Sequence, residues 1–408
     1  MPDVSDRYDV IVAGGGPVGL TLALALTRFM PGIRLALVDR RDMTAPADPR
    51  ASALSAGVVR IFEALDVWRD VAAHAQPILA MRITDSGADD IARPRFLSFE
   101  GEVAPGEPFA HMVPNPVLVS ALLGALGKTV DFIAPAEIVG FVAGPAAAEL
   151  NLKDGRRLVA ELVVAADGGQ STLRGLAGIP TLTHDYKQMG IVTTISHALD
   201  HEGVAYEHFR PAGPFASLPL PGKRSSLVWT ETPEAAARYR AMPRAEIAGI
   251  IEAVMGSTLG TVTVDEDLKA FPLKLGIARS FIAPRLALVG DAAHVVHPVA
   301  GQGLNLGLKD AAALAELAID AMRLGLDPGS ADVLARYQRW RRMDTTLMAF
   351  VTDGMNRLFS NDIVPVRALR DIGLGLVDRL PIVKTAMIRE AAGLGAGAPR
   401  LEERFQQR

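Results

Sequence analysis

Asp291, His294, His297 and Pro298 stand close together in the chain, and Gly301-Gln302-Gly303 follow them. A carboxylate in that place can accept hydrogen bonds from a polyol. The two histidines can move protons or serve as hydrogen-bonded structural groups, and no third ligand beside them points to a metal. Gly301 and Gly303 let a ligand approach the backbone, and a helix starting there aims unsatisfied N–H groups at it. Upstream, Leu286 to Val289 reads as a buried strand ended by Gly290 and Asp291. Downstream, the residues through about Met322 read as an amphipathic helix with Leu306, Ala313, Leu314 and Leu317 on one face. The polar residues therefore sit at a strand-to-helix junction.

A second junction of this kind opens the chain. In "YDVIVAGGGPVG" (Tyr8 to Gly19), the apolar run Val10 to Ala13 is a buried parallel-type strand. Gly14, Gly16 and Gly19 follow in G-x-G-x-x-G register around Pro17 and Val18, and "LTLALALTRF" then favours a helix. Gly14 permits the tight turn, Gly16 lets the backbone approach a pyrophosphate, and Gly19 lets helix and strand pack closely. The helix N-terminus supplies free N–H groups and a positive dipole end for phosphates. "RLALVDR" gives a second strand ending at Asp39-Arg40, and Asp39 lies 39 − 19 = 20 residues beyond Gly19. That is the spacing of an acid that binds a ribose hydroxyl pair. Alone, this junction admits NAD, NADP or FAD.

The two junctions together select FAD. A dehydrogenase keeps its chemistry in a separate domain and has no use for the late turn. A flavin dinucleotide has an ADP half for the first turn and a ribityl–isoalloxazine half for Asp291 and Gly301-Gln302-Gly303, with Leu304 and Asn305 completing the late set. The N1–C2=O edge of a reduced flavin is negative, so a positive helix end beside it lowers the cost of accepting a hydride.

Three segments, "GGGPVGLTLALAL", "ELVVAADGGQSTLR" and "LVGDAAHVVHPVAGQGLNLGLKDAAALAE", resemble the motifs of the FAD-dependent aromatic hydroxylases related to para-hydroxybenzoate hydroxylase. "HPVAGQGLNLGLKD", "GPFASLPLPGKRSSLVWTE" and the C-terminal "RALRDIGLGLVDRLPIVKTAMIREAAGL" are most similar to the ubiquinone-biosynthesis hydroxylases of that group. The resemblance covers nearly the whole chain. It implies that the Asp167-Gly168 segment contacts both FAD and a transient NAD(P)H, whereas the residues themselves read as a turn with Ser171 as an N-cap. It also implies that Arg50 lies near the cofactor and that Pro298, the one catalytic candidate, packs beside the reactive flavin carbon. Their plain readings are a surface arginine and a rigid loop residue. The helix-opening segment Val113 to Leu126 has Val119 and Ser120 where many relatives place a Gln or Arg, so it contributes no site residue. The implied reaction uses NAD(P)H to reduce FAD and O2 to hydroxylate a phenolic ring.

The expected architecture is an α/β (α+β) protein: a Rossmann-like FAD-binding domain (1–75, 111–178 and 279–335), an inserted, mostly antiparallel β-sheet substrate domain (76–110 and 179–278), and C-terminal helices (336–408). The inserted segment holds "GIVTTISHAL", "GVAYEHFR", "FASLPL" and "SSLVWTET", with Gly/Pro turns between them. His208, Phe215, Leu218 and Trp229 are candidates for cleft walls or for plain sheet packing. From about Tyr337, Leu347, Phe350, Val351, Leu358 and Phe359 recur at helical spacing, with Arg367, Arg370 and Arg379 on other faces. These helices either close the core, pair subunits or lie on a membrane surface. "AAGLGAGAPR" suggests a loose terminal segment.

Composition narrows the function. The 408 residues carry no cysteine, which excludes a flavin disulfide reductase and Cys-based metal sites. Net charge is −4, so no global basic field speaks for nucleic acid. No signal peptide and no transmembrane run is evident, so the expected location is the cytoplasm, with peripheral membrane attachment left open. The three tryptophans do not form the W-x-W-x-x-P segment of a flavin halogenase. The reading is an FAD-dependent monooxygenase acting on a polyprenylphenol of ubiquinone biosynthesis, alone, as a homodimer or in a biosynthetic complex. The alternatives are a hydroxylase of small soluble aromatics and a non-catalytic FAD-binding accessory subunit.

Overall fold

A computed structural model describes residues 7–45, 50–85, 95–100, 102–298, 301–359, 392–395, 397–399 and 401. Its first sheet is built on parallel strands that read as near-continuous apolar runs because both faces are covered. In spatial order these are Asp131–Ile133, Leu35–Val38, Arg7–Ala13 and Arg157–Ala165. The far edge of Arg157–Ala165 pairs in parallel with Leu286–Leu288 at one end and antiparallel with Ala148–Leu152 at the other. Ala13 pairs with Val38 and Ala165, and Ala165 pairs with Leu288, so these strands finish level with one another. That register delivers Gly14, Asp39, Asp167 and Asp291, far apart in sequence, to one edge of one sheet. The carboxyl edge of a parallel sheet is where such folds bind ligands.

Helix Pro17–Phe29 packs against helix Gln302–Arg323 over this sheet. The second helix departs from the expected amphipathic pattern: it is buried on nearly every side from Asn305 to Ile319, including Lys309, Asp310 and Glu316. Each fully buried leucine contributes about 1.5–3 kcal/mol relative to an exposed one. Gly307 sets how closely the two helices meet, because a Cβ there would lie 2.9 Å from both the Gly290 Cα and the Val18 Cγ2.

The second sheet is antiparallel except where Val204–Phe209 runs parallel to Ala80–Asp85. Its order is His294–Val295, Lys269–Ala278, Thr181–His197, Arg224–Glu231, Phe215–Leu220, Val204–Phe209, Ala80–Asp85 and Arg95–Glu100. His294–Val295 comes from the stretch assigned by sequence to the FAD-binding part, so that stretch lends a strand to the second sheet. Helices Pro233–Arg240 and Arg244–Met255 cover one face. The sequence reading, which saw only strands here, missed both, although Thr232 caps the first from its side chain and Pro233 begins it. A small third sheet, Ala51–Ser55, Ala110–Pro114 and Gln76–Ile78, joins the segments on either side of the expected boundary.

The last long helix runs Ala331–Phe359, starting before Tyr337. Leu347 on it is exposed. Phe350, Val351, Leu358 and Phe359 fall on the helix, but their side chains lie outside the described residues, as do Arg367, Arg370 and Arg379. The described part of "AAGLGAGAPR" is docked rather than loose: Gly57 N–H donates to the Ala392 carbonyl (2.8 Å) and Trp340 Nε1–H to the Gly397 carbonyl (2.7 Å). No described helix is long and apolar enough to cross a membrane.

Candidate active site

The first turn is shaped by what its glycines exclude. Gly14 has φ +115°, and a Cβ on it would lie 2.2 Å from the Ala166 carbonyl oxygen. A Cβ on Gly19 would lie 2.0 Å from the Gly14 carbonyl oxygen. Gly16 is different, since nothing comes within 4 Å of the place where its side chain would begin. Gly16 is also the N-cap of helix Pro17–Phe29 and has no side chain to cap it. The helix thus begins with unsatisfied N–H groups, Val18 first because Pro17 has none, facing open space.

Asp39 lies beside that space. Its Oδ2 accepts from Gly15 N–H at 2.6 Å and its Oδ1 from Arg41 N–H at 2.8 Å, which fixes the carboxylate while leaving lone pairs for a diol. Arg40 is exposed. Asp167 caps the short helix Thr172–Leu176: its Oδ2 accepts from Thr172 N–H (2.8 Å) and Leu173 N–H (3.2 Å), while its Oδ1 is buried without a partner. Ser171 accepts from Arg174 N–H, as the N-cap reading expects. Arg174, which the sequence reading passed over, donates to the Gly169 and Ala292 carbonyls and ties the middle turn to the late one.

The late turn holds Asp291 at the water-accessible surface. Desolvation pushes its carboxyl up, against the opposing pull of His294 and Arg50. Arg50 therefore acts on the Asp291 charge, with its guanidinium 5.7 Å from the Phe271 ring centre. Pro298 is half-buried, and its carbonyl accepts from Gly301 N–H at 2.9 Å. Gly301 has φ +61° and caps helix Gln302–Arg323 with no side chain in the way. Gln302, Gly303 and Leu304 are half-buried in the first turn. Asn305 has another task. Its Nδ2 donates to the Ala53 and Gly301 carbonyls and its Oδ1 accepts from Ser55 N–H, so the side chain clamps the helix to the third sheet.

Beneath the turn lies a buried ionic cluster that the sequence reading did not identify. The Asp310 carboxylate meets Arg341 Nε (2.7 Å), His294 Nε2 (2.5 Å) and Gly290 N–H (3.1 Å), and Arg341 Nη1 donates to Asp344 (2.7 Å). Desolvation pushes the Asp310 carboxyl up, but His294 and Arg341 outweigh it and hold Asp310 below its usual range. His294 is thus a structural partner. His297 is fully buried beside Tyr186, and burial lowers it to about 4, so it is neutral at pH 7. Among the described residues no acidic, His or Cys group is arranged to hold a metal.

Of the candidate cleft walls, His208, Phe215 and Trp229 are on the wrong face. Phe215 and Trp229 pack under the two helices, and His208 bonds to Thr84 at 2.6 Å. Leu218 is on the opposite face, turned toward Ala51 and Ala53 of the third sheet.

These features fit FAD. The open space at Gly16, the fixed carboxylate of Asp39, the unpartnered Asp167 Oδ1 and the accessible Asp291 all line one sheet edge, and the uncapped N-terminus of the late helix joins them. Residues 7–346 match the FAD binding domain family. A ubiquinone hydroxylase of Rhodospirillum rubrum is 42% identical over 402 residues, spanning 96% of this chain and 92% of that protein. The 3-demethoxyubiquinol 3-hydroxylase of Escherichia coli is 33% identical over 393 residues, spanning 95% and 98%. The crystal structure of p-nitrophenol 4-monooxygenase from Pseudomonas putida shares the fold with a TM-score of 0.78 at 20% identity, covering 96% of this chain and 99% of that one. Matched over residues 7–346 and along almost its whole length to a ubiquinone hydroxylase, this chain belongs to the FAD binding domain family, among its FAD-dependent aromatic monooxygenases.

Proposed function

We propose that the protein hydroxylates the ring of a polyprenylphenol on the route to ubiquinone, with NAD(P)H as electron donor and O2 as oxygen source. The observation that carries this reading is the convergence of Gly16, Asp39, Asp291 and Gly301 on one sheet edge, in a chain 42% identical to a ubiquinone hydroxylase. When bound, FAD supplies the hydride and O2 chemistry. The chain supplies the rest. The N–H groups after Gly16 take the pyrophosphate, and Asp39 takes the adenosine ribose. Asp291 takes the ribityl hydroxyls, and the N-terminus of helix Gln302–Arg323 favours negative charge on the ring edge. Pro298 would line the flavin end of the site, and Arg50 and Asp167 would complete the set of residues that hold the cofactor. In this reading 1–75, 111–178 and 279–335 carry FAD, while 76–110 and 179–278 roof the substrate. Peripheral binding to a membrane surface would give access to a lipid-tailed substrate.

The test is O2-dependent NAD(P)H oxidation by the FAD-loaded protein, with product analysis, for a short-tailed prenylphenol against 4-hydroxybenzoate. Hydroxylated prenylphenol is expected. Product from 4-hydroxybenzoate alone would favour the soluble-aromatic alternative, and retained FAD with no NAD(P)H oxidation would favour the accessory-subunit one.

A further inference from the structure

The second sheet has one face under helices and one face toward the late glycine turn. Alternation along the strands separates the two sets. Ile191, Phe215, Leu227 and Trp229 lie under the helices. Ala205, Leu218 and Leu220 lie on the other face, in a cluster that includes Ala53, whose Cβ is 3.6 Å from where a Gly301 side chain would begin. Val192, Ala216 and Val228 share this face by register and are only half-buried, as befits the apolar wall of a cleft.

Glu207 belongs to this wall. It lies two residues from Ala205, opposite Ala216 on one neighbouring strand and Ile83 on the other. The residue is 7% exposed, and its carboxyl makes no hydrogen bond or ion pair with any described residue. A carboxyl on an apolar wall with no partner among the described residues is costly to bury, and a hydroxyl brought by a ligand would complete it. The described residues facing it from the adjoining strands, Ala216, Leu218, Val228, Met81 and Ile83, carry no charge. Burial alone pushes it up to about 7.

We propose that Glu207 receives the hydroxyl of the aromatic substrate, accepting its O–H hydrogen bond and so raising the electron density of the ring that is to be oxygenated. This rests on the reading of the cleft as the site of a phenol hydroxylase. The proton moves no further than this bond, and no other co-reactant is needed. Glu207 sits where the ring hydroxyl is the one polar group an apolar wall must satisfy, so the residue selects for a phenol over an unsubstituted ring.

The test compares wild type, Glu207→Gln and Glu207→Asp as FAD-loaded protein. It follows binding of a short-tailed prenylphenol by its perturbation of the flavin spectrum and follows phenol-stimulated NAD(P)H oxidation from pH 5.5 to 8.5. Wild type should bind and turn over better as pH rises through about 7. Glu207→Gln should flatten both profiles and lower phenol-stimulated kcat/KM about 10- to 100-fold, with partial rescue in Glu207→Asp. A Glu207→Gln enzyme with the wild-type pH profile and kcat/KM would overturn the inference alone. Wild-type protein that neither binds the prenylphenol nor responds to it would overturn the functional reading and the inference with it.

Discussion

Arg341→Met probes the frame under the late turn. The change keeps an unbranched apolar stem and deletes a guanidinium that is fully buried against Asp310, itself 0% exposed. Asp310 would keep His294 Nε2 at 2.5 Å and Gly290 N–H at 3.1 Å, so it is not stripped bare. Breaking a buried pair on one side costs about 3–5 kcal/mol, and the two remaining partners put the expected loss near the lower figure. Asp310→Leu leaves Arg341 with only Asp344 and frees Gly290 N–H, and should cost about as much. The double variant buries no unbalanced charge, so it should be less destabilised than the sum of the singles by about 2 kcal/mol or more. Urea unfolding at pH 7.5, followed by tryptophan fluorescence, measures all four corners of the cycle. The sign with pH is also fixed: a carboxyl held below its ordinary value of 3.8 contributes stability above that pH and loses it as pH falls further. Additivity of the two changes to within about 0.5 kcal/mol would refute the claim that this cluster is one coupled unit.

Two further outcomes are expected. Glu207 is raised from 4.5 to about 7, so the folded state holds its proton more tightly and wild type loses stability as pH rises across that interval, by up to about 3 kcal/mol at about 1.4 kcal/mol per unit. Glu207→Gln removes that loss, so denaturant midpoints should diverge in its favour between pH 5 and pH 8.5, and a pH-independent difference would contradict the assignment. Gly307→Ala should destabilise and weaken FAD binding even though alanine is favoured over glycine inside a helix by about 1 kcal/mol, because the new Cβ meets Gly290 and Val18 at 2.9 Å. A stabilised variant with unchanged FAD affinity would show that the two helices do not need this close approach.

Much of the cofactor edge was legible because each part is local. Gly19 is demanded by the Gly14 carbonyl within the same strand–turn–helix unit, and the apolar runs at Val10–Ala13 and Leu35–Val38 announce strands without tertiary context, whereas the steric demand at Gly14 comes from the distant Ala166 carbonyl. Other features needed the fold. Asn305 reads as a ligand-facing helix start until the strand Ala51–Ser55 is seen beside it, supplying backbone groups for its whole amide. Arg341 gives no sign in sequence that it will meet Asp310, since 31 residues separate them and one long helix must return along another. The late helix reads as amphipathic, yet Lys309, Asp310 and Glu316 are buried on it, and Asp310 finds its partners at Gly290, His294 and Arg341. Glu207 is unmarked within the strand-like segment "GVAYEHFR", and only the face that Ala205 shares with Ala53 places it on the side of the late turn.

The central claim is that two distant turns hold opposite halves of one FAD, and binding of FAD and of ADP to wild type and Asp291→Ala protein tests it most directly. The account predicts one FAD per chain in wild type, weaker binding of ADP at the first turn, and, in Asp291→Ala, a large loss of FAD affinity with ADP affinity intact. Absence of FAD binding by wild type, or an Asp291→Ala protein that holds FAD as tightly as before, would contradict it.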